Sequence, residues 1–495
     1  MTALGADRRV TVVGAGPAGL TAAYLLSQRG WPVTVLEADP RYVGGIARTI
    51  EHAGYRFDVG PHRFFSKAAR VEALWDELLP DDMLTIDRRT RIQYRGRFFN
   101  YPLSAPEAFA RLGAWESARA AVSYLGARCF PVREPRSFAD WVSNQFGPRL
   151  FEIFFRTYTE KVWGMDCRDI SADWAAQRIK GLSLGTALWN ALRPRRANGS
   201  AAIRSLIETF RYPRLGAGMM WEAAARRTRA QGGVVRLGCR VVGLAYDDAR
   251  REWTTTYVDG DGAPQALRSA HVVCSAALGD LALLLTPPLH ARAHATALRY
   301  RDLVTVMLFA TDRQRFADHW LYIHDPDVRV ARIQNVRAWS PALIADPAMN
   351  AFGLEYFCFA ADAIWQRRDA DLIALATSEL VRLSLAEAGD VTGGYVIRQP
   401  RAYPVYDGDY RRHVEVLRGE IATRYPNLHM VGRNGMHKYN NQDHAMMTAM
   451  LTVDALVGDG PRRDPWQVNE DAEYHEEDRG SGASGLRLVP HRLGA

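Results

Sequence analysis

The N-terminal region carries the clearest alternation of apolar and polar positions in the chain. Val10–Val13 is a short β-branched run of the kind found in buried strands, and a second such run lies at residues 33–36. Between them, residues 18–26 place apolar side chains at helical spacing until Gly30 ends the segment. This order predicts a strand, a glycine turn, a helix and a second strand.

The rest of the pattern predicts an α/β chain in which one Rossmann-like domain is interrupted by insertions. Residues 72–210 are mostly helical in period, with one strand pair near 90–101, and residues 300–400 indicate an antiparallel set plus a helix. A last apolar strand precedes Gly432. We expect a discontinuous nucleotide-binding domain at 8–70, 212–295 and 395–460, a mostly helical insertion at 71–211, an antiparallel-sheet substrate domain at 296–394, and a flexible tail at 461–495.

A glycine motif occupies the first turn. Gly14, Gly16 and Gly19 form GxGxxG between the predicted strand and helix, and Glu37 ends the second strand. Small residues let the backbone approach a pyrophosphate at a helix N-terminus, where the aligned peptide dipoles favour an anion. The carboxylate can accept hydrogen bonds from both ribose hydroxyls, so the segment predicts dinucleotide binding.

A second glycine pair indicates which dinucleotide is bound. Gly44 and Gly45 follow the acidic residue, and Arg48 comes directly after them. NAD dehydrogenases do not need this pair, whereas flavoproteins whose FAD lies extended through the domain commonly have it. We therefore predict FAD.

Charge and composition limit the remaining functions. The net charge is +8, yet the arginines are spread over all 495 residues without a basic block, which favours an anionic small substrate over nucleic acid. No apolar run reaches the roughly 18–20 residues of a membrane span, and no signal-peptide core is present, so we expect a cytoplasmic protein. The five cysteines show no paired spacing, which speaks against a disulfide framework or a metal site.

Seven stretches along residues 8–458 together resemble one family. They read FDVGPHRFFSK, YTEKVWG, QRI, YPRLGAGMMW, ARIQNVRAWSP, YPVYDGDY and GRNGMHKYNNQDHAMMTAML. In this order they resemble the UDP-galactopyranose mutase family in its longer, eukaryotic-like form. These FAD enzymes of the glutathione-reductase/amine-oxidase superfamily interconvert the pyranose and furanose forms of nucleotide sugars.

The resemblance implies roles for single residues. Arg178 and Arg332 match the two arginines that contact the diphosphate, and Tyr439 matches the tyrosine that hydrogen-bonds it, with Tyr403 as a neighbour. His62 matches the histidine beside the isoalloxazine ring. The resemblance further implies Asn441 as an amide near the sugar and flavin, substrate contacts from Tyr101, Trp163, Tyr403 and Trp339, and cofactor contacts from Gly432, Arg433, Gln442 and Asp443, with Asp443 capping the following helix.

Three positions depart from the family pattern. Arg63, Ser104 and His437 replace an aliphatic residue, an amide and an aromatic residue, respectively. All three belong to the expected nucleotide-sugar pocket, so they leave the identity of the base and the sugar open.

The implied reaction is a redox-neutral ring contraction. Reduced flavin would displace the nucleotide from the anomeric carbon through N5, while paired arginines hold the leaving diphosphate. NAD(P)H could serve as the reductant. Truncation of Arg178 or Arg332 to Ala is then expected to lower turnover by roughly one to two decades or more and to leave FAD content and the melting temperature nearly unchanged. Two alternatives stay open: a FAD-dependent oxidase or dehydrogenase of the amine-oxidase or protoporphyrinogen-oxidase type, and a non-catalytic binder of FAD or a nucleotide sugar.

Overall fold

A computed structural model describes residues 8–101, 103, 105–172, 209–260, 262–459 and 463–469. The strands are β1 (Val10–Val13), β2 (Val33–Leu36), β3 (Thr49–His52), β4 (Tyr55–Asp58), β5 (Met83–Asp87), β6 (Thr90–Tyr94), β7 (Arg97–Asn100), β8 (Thr209–Pro213), β9 (Val234–Arg236), β10 (Arg240–Asp247), β11 (Glu252–Val258), β12 (Pro264–Ser269), β13 (His271–Cys274), β14 (Leu285–Thr286), β15 (Tyr300–Thr311), β16 (Trp320–Ile323), β17 (Arg332–Asn335), β18 (Met349–Cys358), β19 (Val391–Pro404) and β20 (Leu428–Met430). The α-helices are α1 (Pro17–Gln28), α2 (Ala69–Leu78), α3 (Ala105–Leu112), α4 (Ala114–Cys129), α5 (Phe138–Phe146), α6 (Pro148–Phe151), α7 (Thr157–Trp163), α8 (Gly218–Ala230), α9 (Leu278–Leu284), α10 (Arg292–Ala297), α11 (Val336–Trp339), α12 (Ala363–Gln366), α13 (Asp369–Arg382), α14 (Tyr410–Arg424), α15 (Gly432–Gly435) and α16 (Gln442–Val457).

A five-stranded parallel sheet has the order β20-β13-β1-β2-β9. All four residues of β1 are buried, as expected for a parallel strand covered on both faces. Helix α1 packs against α8 and α16, where small side chains such as Ala22 and Ala449 are fully buried. The predicted strand, turn, helix and strand are thus present, and the α/β class is confirmed.

A second, seven-stranded sheet has the order β19-β15-β18-β17-β16-β6-β7. Its pairs are antiparallel except β16 with β6, which is parallel. The register between β17 and β18 sets Arg332 opposite Glu355. This pairing puts a guanidinium and a carboxylate side by side near the middle of the sheet.

The predicted domain boundaries need two corrections. The strand pair β6 and β7 was assigned to the helical insertion, yet both strands lie at the edge of the seven-stranded sheet. The boundary at 395 falls inside β19, which pairs with β15 along residues 391–404. Sheet pairing between strands far apart in sequence leaves no local signal, so the pattern alone could not locate these edges.

Part of the predicted flexible tail is held against the body of the protein. Lys438 Nζ donates to the carbonyl of Trp466 at 2.6 Å, and Asn469 Nδ2 donates to the carbonyl of Tyr439 at 2.9 Å. Residues 470–495 lie outside the described part, as do residues 173–208 of the predicted helical insertion. Among the described helices, none combines the length and the apolarity needed to cross a membrane.

Candidate functional site

The first glycine loop lies where β1 ends and α1 begins. Gly14 N donates to the carbonyl of Leu36 at 2.9 Å, which ties the loop to the end of β2. A Cβ at Gly19 would overlap the carbonyl oxygen of Gly14, so only glycine lets α1 pack this close to the loop. The N-cap residue is Gly16, which provides no side-chain cap for the first turn of α1. The helix therefore presents its orphan N–H groups to an anion such as a pyrophosphate.

Glu37 follows β2 directly, as predicted. Its Oε2 accepts from the backbone N–H of Ala15 at 2.6 Å, and its Oε1 accepts from Asp39 N at 2.9 Å. Burial raises the pKa of this carboxyl, and the backbone hydrogen bonds oppose that shift. The carboxylate is thus fixed beside the glycine loop, where it can accept hydrogen bonds from ribose hydroxyls.

The second glycine pair packs against the first. Gly44 N donates to the carbonyl of Ala15 at 2.8 Å, and Gly44 has φ +101°, a left-handed conformation that favours glycine. A Cβ at Gly45 would lie 3.4 Å from Gly16 Cα. Arg48 Nη1 donates to the carbonyl of Gly45 at 2.8 Å, so both glycine loops and this arginine form one cradle.

The C-terminal segment that was predicted to contact FAD closes the cradle from the other side. Gly432 N donates to Thr448 Oγ1 at 2.9 Å, and a Cβ at Gly432 would lie 3.0 Å from Ala18 Cβ. Arg433 Nε donates to the carbonyl of Asn440 at 2.8 Å. Its guanidinium lies over the ring of Tyr403, 4.9 Å from the centroid. The loop that carries this arginine therefore joins the cofactor cradle to the predicted substrate side.

Arg332 is held in a buried ion pair. Its Nε donates to Oε2 of Glu355 at 2.7 Å, and its Nη2 donates to the hydroxyl of Tyr403 at 3.1 Å. The guanidinium also lies over the ring of Phe357, 5.0 Å from the centroid. Burial is the largest influence and lowers the pKa of Arg332, but the Glu355 carboxylate and the nearby tyrosine hydroxyls together outweigh burial and raise that pKa well above its usual value.

Tyr439 lies beside Tyr403 and Arg433. Its ring stacks on that of Tyr403 with centroids 5.3 Å apart, and the guanidinium of Arg433 lies 5.3 Å from its centroid. The backbone N–H of Tyr439 donates to the hydroxyl of Tyr406 at 2.7 Å. The buried indole of Trp163 lies 6.4 Å from the Tyr439 ring, so it packs on the same side as Tyr403 and Tyr439.

His62 lies on the loop beside these residues and is neutral. Burial, together with the nearby charges of Arg433, Arg332 and Arg48, lowers its pKa to about 3. Gln442 Nε2 donates to the carbonyl of Arg63 at 3.0 Å, which ties the start of α16 to this loop. The histidine is therefore surrounded by arginines without adding a charge to them.

Three buried polar atoms at this junction have no hydrogen-bond partner among the described residues. They are His62 Nδ1, Glu355 Oε1 and Gln442 Oε1. Native interiors seldom leave such groups unsatisfied, because each costs about 1–3 kcal/mol. These three atoms lie beside the glycine cradle. A bound flavin and a polar ligand would supply the hydrogen-bond partners that they lack.

The start of α16 corrects one assignment. Asn441 is the N-cap of α16, and its side chain accepts from the N3 backbone N–H while His444 Nδ1 accepts from Asn441 N at 3.2 Å. Asp443 therefore does not cap the helix; it is buried in the first turn, with Oδ1 3.6 Å from His444 Nδ1. Asn441 therefore lies at the start of α16, and its predicted role beside the sugar and the flavin stays a prediction.

Tyr101 and Trp339, the two remaining residues predicted to contact the substrate, lie in different surroundings. Tyr101 packs against Tyr322 with centroids 4.9 Å apart, and Tyr322 in turn meets Tyr158 at 5.4 Å. Trp339 is not brought to the site. It is buried against Trp320 at 5.4 Å, and its indole N–H donates to the carbonyl of His319 at 2.9 Å, which makes it a packing residue of the core.

Sequence reasoning missed two residues and could not be checked at a third. Glu355 was missed although it is the one acid inside the apolar strand β18, and a charge in such a run signals a buried partner. Tyr158 was missed within the quoted YTEKVWG run, yet burial raises its pKa and Arg332 and Tyr439 lie near its hydroxyl. Arg178 lies outside the described residues.

Comparisons with known proteins agree with this geometry. Residues 17–410 match the family model for flavin containing amine oxidoreductases. The chain is 26% identical over 175 residues to the probable UDP-galactopyranose mutase of Klebsiella pneumoniae, a match that covers 34% of this chain and 44% of the relative. The chain thus spans less than half of the length of that relative.

Solved structures show the same fold over nearly the whole chain. A reduced UDP-galactopyranose mutase superposes with a TM-score of 0.81 at 20% identity, covering 95% of this chain and 99% of the other. A putative protoporphyrinogen oxidase from Exiguobacterium sp. 255-15 gives a TM-score of 0.67 at 16% identity, covering 92% and 100%. The FAD-binding fold is confirmed, and the chain belongs to the family of flavin containing amine oxidoreductases.

Proposed function

We propose that this flavoenzyme interconverts the pyranose and furanose forms of a nucleotide sugar without net oxidation. The observation that carries the proposal is the convergence of two guanidinium groups on Tyr403. Arg332 donates to its hydroxyl at 3.1 Å, and Arg433 lies over its ring at 4.9 Å. Guanidinium groups bind phosphate oxygens in a fixed planar fork, so this wall suits a leaving diphosphate next to the flavin cradle.

Each side chain then has a role in the ring contraction. Reduced FAD, when bound, supplies the nucleophile that replaces the nucleotide at the sugar. Arg332 and the hydroxyls of Tyr403 and Tyr439 hold the departing diphosphate, and the buried ring of Trp163 excludes water from the opened sugar. His62 stays neutral at physiological pH, so it can exchange a hydrogen bond with the flavin or the sugar without repelling a cation. Arg178 would add a second fork to the diphosphate site.

A redox function is the second candidate, and one observation favours it. The Glu355 carboxylate neutralises Arg332, which weakens the electrostatic attraction for a diphosphate. What remains beside the cradle is largely aromatic: Phe357, Tyr403, Tyr439 and Trp163. Aromatic walls of this kind also suit an oxidase or dehydrogenase that acts on an apolar or amine substrate.

The two functions differ in their mass balance. Dithionite-reduced protein is incubated anaerobically with a panel of nucleotide sugars that includes UDP-galactopyranose, and products are separated by chromatography with mass detection. A mutase yields a product of unchanged mass and changed retention and consumes no electron acceptor. An oxidase instead yields peroxide, or reduces an added acceptor, when the oxidised protein meets its substrate. A binder produces neither signal, and both enzymatic proposals then fail.

A further inference from the structure

Helix α7 separates the flavin side from a cavity of about 900 Å³. Thr157, Lys161 and Gly164 line this cavity, whereas Tyr158 and Trp163 of the same segment lie near Tyr439 on the other side. We call it the α7 cavity and define it by its basic residues and one glycine: Arg95, Arg149, Arg156, Lys161, Gly164, Arg301 and Arg329. It lies between α7 and the turn that joins β16 to β17.

The lining is rich in positive charge. Six basic side chains line the cavity against the acids Glu152, Glu160 and Asp362. Arg156 Nε lies 3.0 Å from Glu160, and Arg149 Nη1 lies 2.9 Å from Glu152, so two of the acids already have cationic partners. The cavity therefore keeps more positive than negative charge after these pairs are formed.

Lys161 differs from Arg95 and Arg329 in how many of its N–H donors already have hydrogen-bond partners. Lys161 Nζ donates to the carbonyls of Ile323, Asp325 and Val330 at 2.6–3.2 Å, which uses its three donors. Arg95 and Arg329 are exposed, and neither guanidinium has a hydrogen bond or ion pair within the described part of the chain. The Arg95 guanidinium lies over the ring of Tyr94, 5.5 Å from the centroid, and the N–H donors of both guanidinium groups can bind an anion.

Arg301 is the buried donor of the cavity. Its side chain is only 2% exposed, its Nε donates to the carbonyl of Val162 at 3.0 Å, and its Nη2 donates to that of Lys161 at 3.4 Å. Nη1 has no hydrogen-bond partner in the described ranges, and Asp362 Oδ2 lies 3.8 Å away, beyond hydrogen-bond reach. A buried unsatisfied donor on a charged group is costly, which points to a ligand atom at Nη1.

The backbone makes room for this guanidinium. Gly164 ends α7 with φ +63°, and a Cβ at this position would overlap Nη1 of Arg301. Any other residue would displace the guanidinium from the cavity. Gly164 therefore fixes the position of the buried guanidinium at the cavity.

We propose that the α7 cavity binds a phosphorylated small molecule, with one phosphate oxygen on Nη1 of Arg301 and further oxygens on Arg95 and Arg329. Guanidinium groups prefer phosphate because their planar fork matches its oxygens. The volume falls in the range of small-molecule sites, about 300–1,000 Å³. The α7 cavity shares Phe357 with the Arg332 wall, but none of the three proposed anion contacts belongs to that wall, so this inference holds whether or not the protein is a mutase.

The test uses the FAD-loaded protein and inorganic pyrophosphate as the probe, with binding measured by isothermal titration calorimetry. Arg95→Gln and Arg329→Gln are each expected to weaken one pyrophosphate site roughly tenfold, because each removes a charge-assisted contact made by an exposed side chain. Arg301→Lys keeps the buried charge but loses the fork, and it should weaken the same site. Arg226→Gln on α8, an exposed arginine outside the cavity, is the matched control and should bind like the wild type.

The Arg332→Lys variant distinguishes pyrophosphate binding in the α7 cavity from binding at the proposed diphosphate site. Arg332→Lys should leave the cavity site unchanged. If pyrophosphate binding responds to Arg332→Lys but to none of the three cavity variants, the ligand occupies the flavin side and the proposal is wrong. Absence of pyrophosphate binding to the wild type, or equal affinity in all cavity variants, overturns it as well.

Discussion

Arg332 Nε lies 2.7 Å from Oε2 of Glu355, whose carboxylate has no exposed surface. The arginine itself is 15% exposed, so the pair lies at the boundary between the core of the seven-stranded sheet and the predicted substrate side. Removing one partner from such a pair leaves the other charge buried and uncompensated. This relationship changes the expectation that Arg332→Ala leaves the melting temperature nearly unchanged.

We now predict that Arg332→Ala lowers the free energy of unfolding by about 3–5 kcal/mol, because the Glu355 carboxylate loses its counter-ion. Adding Glu355→Gln to this variant should recover most of the loss, since no buried charge then remains. Urea denaturation of the FAD-loaded proteins measures both effects. Arg250→Ala, which removes an exposed ion pair with Asp247, is the control and should cost less than about 1 kcal/mol. A wild-type urea midpoint for Arg332→Ala alone would contradict the burial argument.

The glycine cradle gives a second prediction. A Cβ at Gly16 would come no closer than 3.9 Å to the atoms of the described chain, so Gly16→Ala should fold. It would nevertheless stand where the backbone approaches the pyrophosphate, and FAD affinity should fall at least about tenfold. Flavin absorbance after gel filtration and titration of the apoprotein with FAD measure this loss.

Gly30→Ala is the matched control for the cradle. Gly30 has φ +70° and open space around its Cα, so alanine there strains the backbone by about 1 kcal/mol without approaching the cofactor. It should lower thermal stability slightly and keep full FAD content. Should Gly16→Ala retain FAD as tightly as the wild type, the first glycine loop is not the pyrophosphate site.

Local signals explain which parts of the site the sequence predicted. The first glycine motif and Glu37 lie within one strand, turn, helix and strand, so their contacts follow from neighbours in sequence. The Arg332 and Glu355 pair depends instead on the register between two antiparallel strands. A single acidic residue in an apolar strand indicates a buried cationic partner. The sequence does not show which of the many arginines that partner is.

Two errors have similar physical causes. Trp339 follows Arg332 closely along the chain, yet the short helix α11 turns its indole into a buried aromatic cluster with Trp320 and Tyr212. At the start of α16, Asn441 and Asp443 are both competent caps, and the choice depends on the residue at which the helix begins. It begins at Gln442, which makes Asn441 the cap.

Tyr403 provides a test of the proposed diphosphate wall. Tyr403→Phe removes the hydroxyl that accepts from Arg332 Nη2 at 3.1 Å and leaves the ring stacked on Tyr439. For a nucleotide-sugar mutase, kcat/KM should fall roughly tenfold, because a hydrogen bond to a charged group is worth about 1.5–3 kcal/mol. FAD content should not change.

The control for this change is Tyr395→Phe, on the same strand β19. Its ring packs against His52, away from the arginines that contact Tyr403. Turnover should match the wild type. Equal turnover of the Tyr403 and Tyr395 variants on every accepted nucleotide sugar would remove Tyr403 from the proposed wall.

The last prediction concerns acid stability. Burial lowers the pKa of five described histidines: that of His319, that of His62 and His324 to about 3, and that of His429 and His437 to about 4. Each stays neutral in the folded protein and gains its proton only on unfolding, where its pKa is about 6.5. Between pH 6.5 and about 4 the unfolded state therefore binds more protons, and stability falls as the pH falls through this window.

His429→Gln should reduce the slope of unfolding free energy against pH by about one proton, as measured by urea midpoints at pH 7, 6 and 5. A slope for His429→Gln identical to that of the wild type would show that His429 does not carry this linkage.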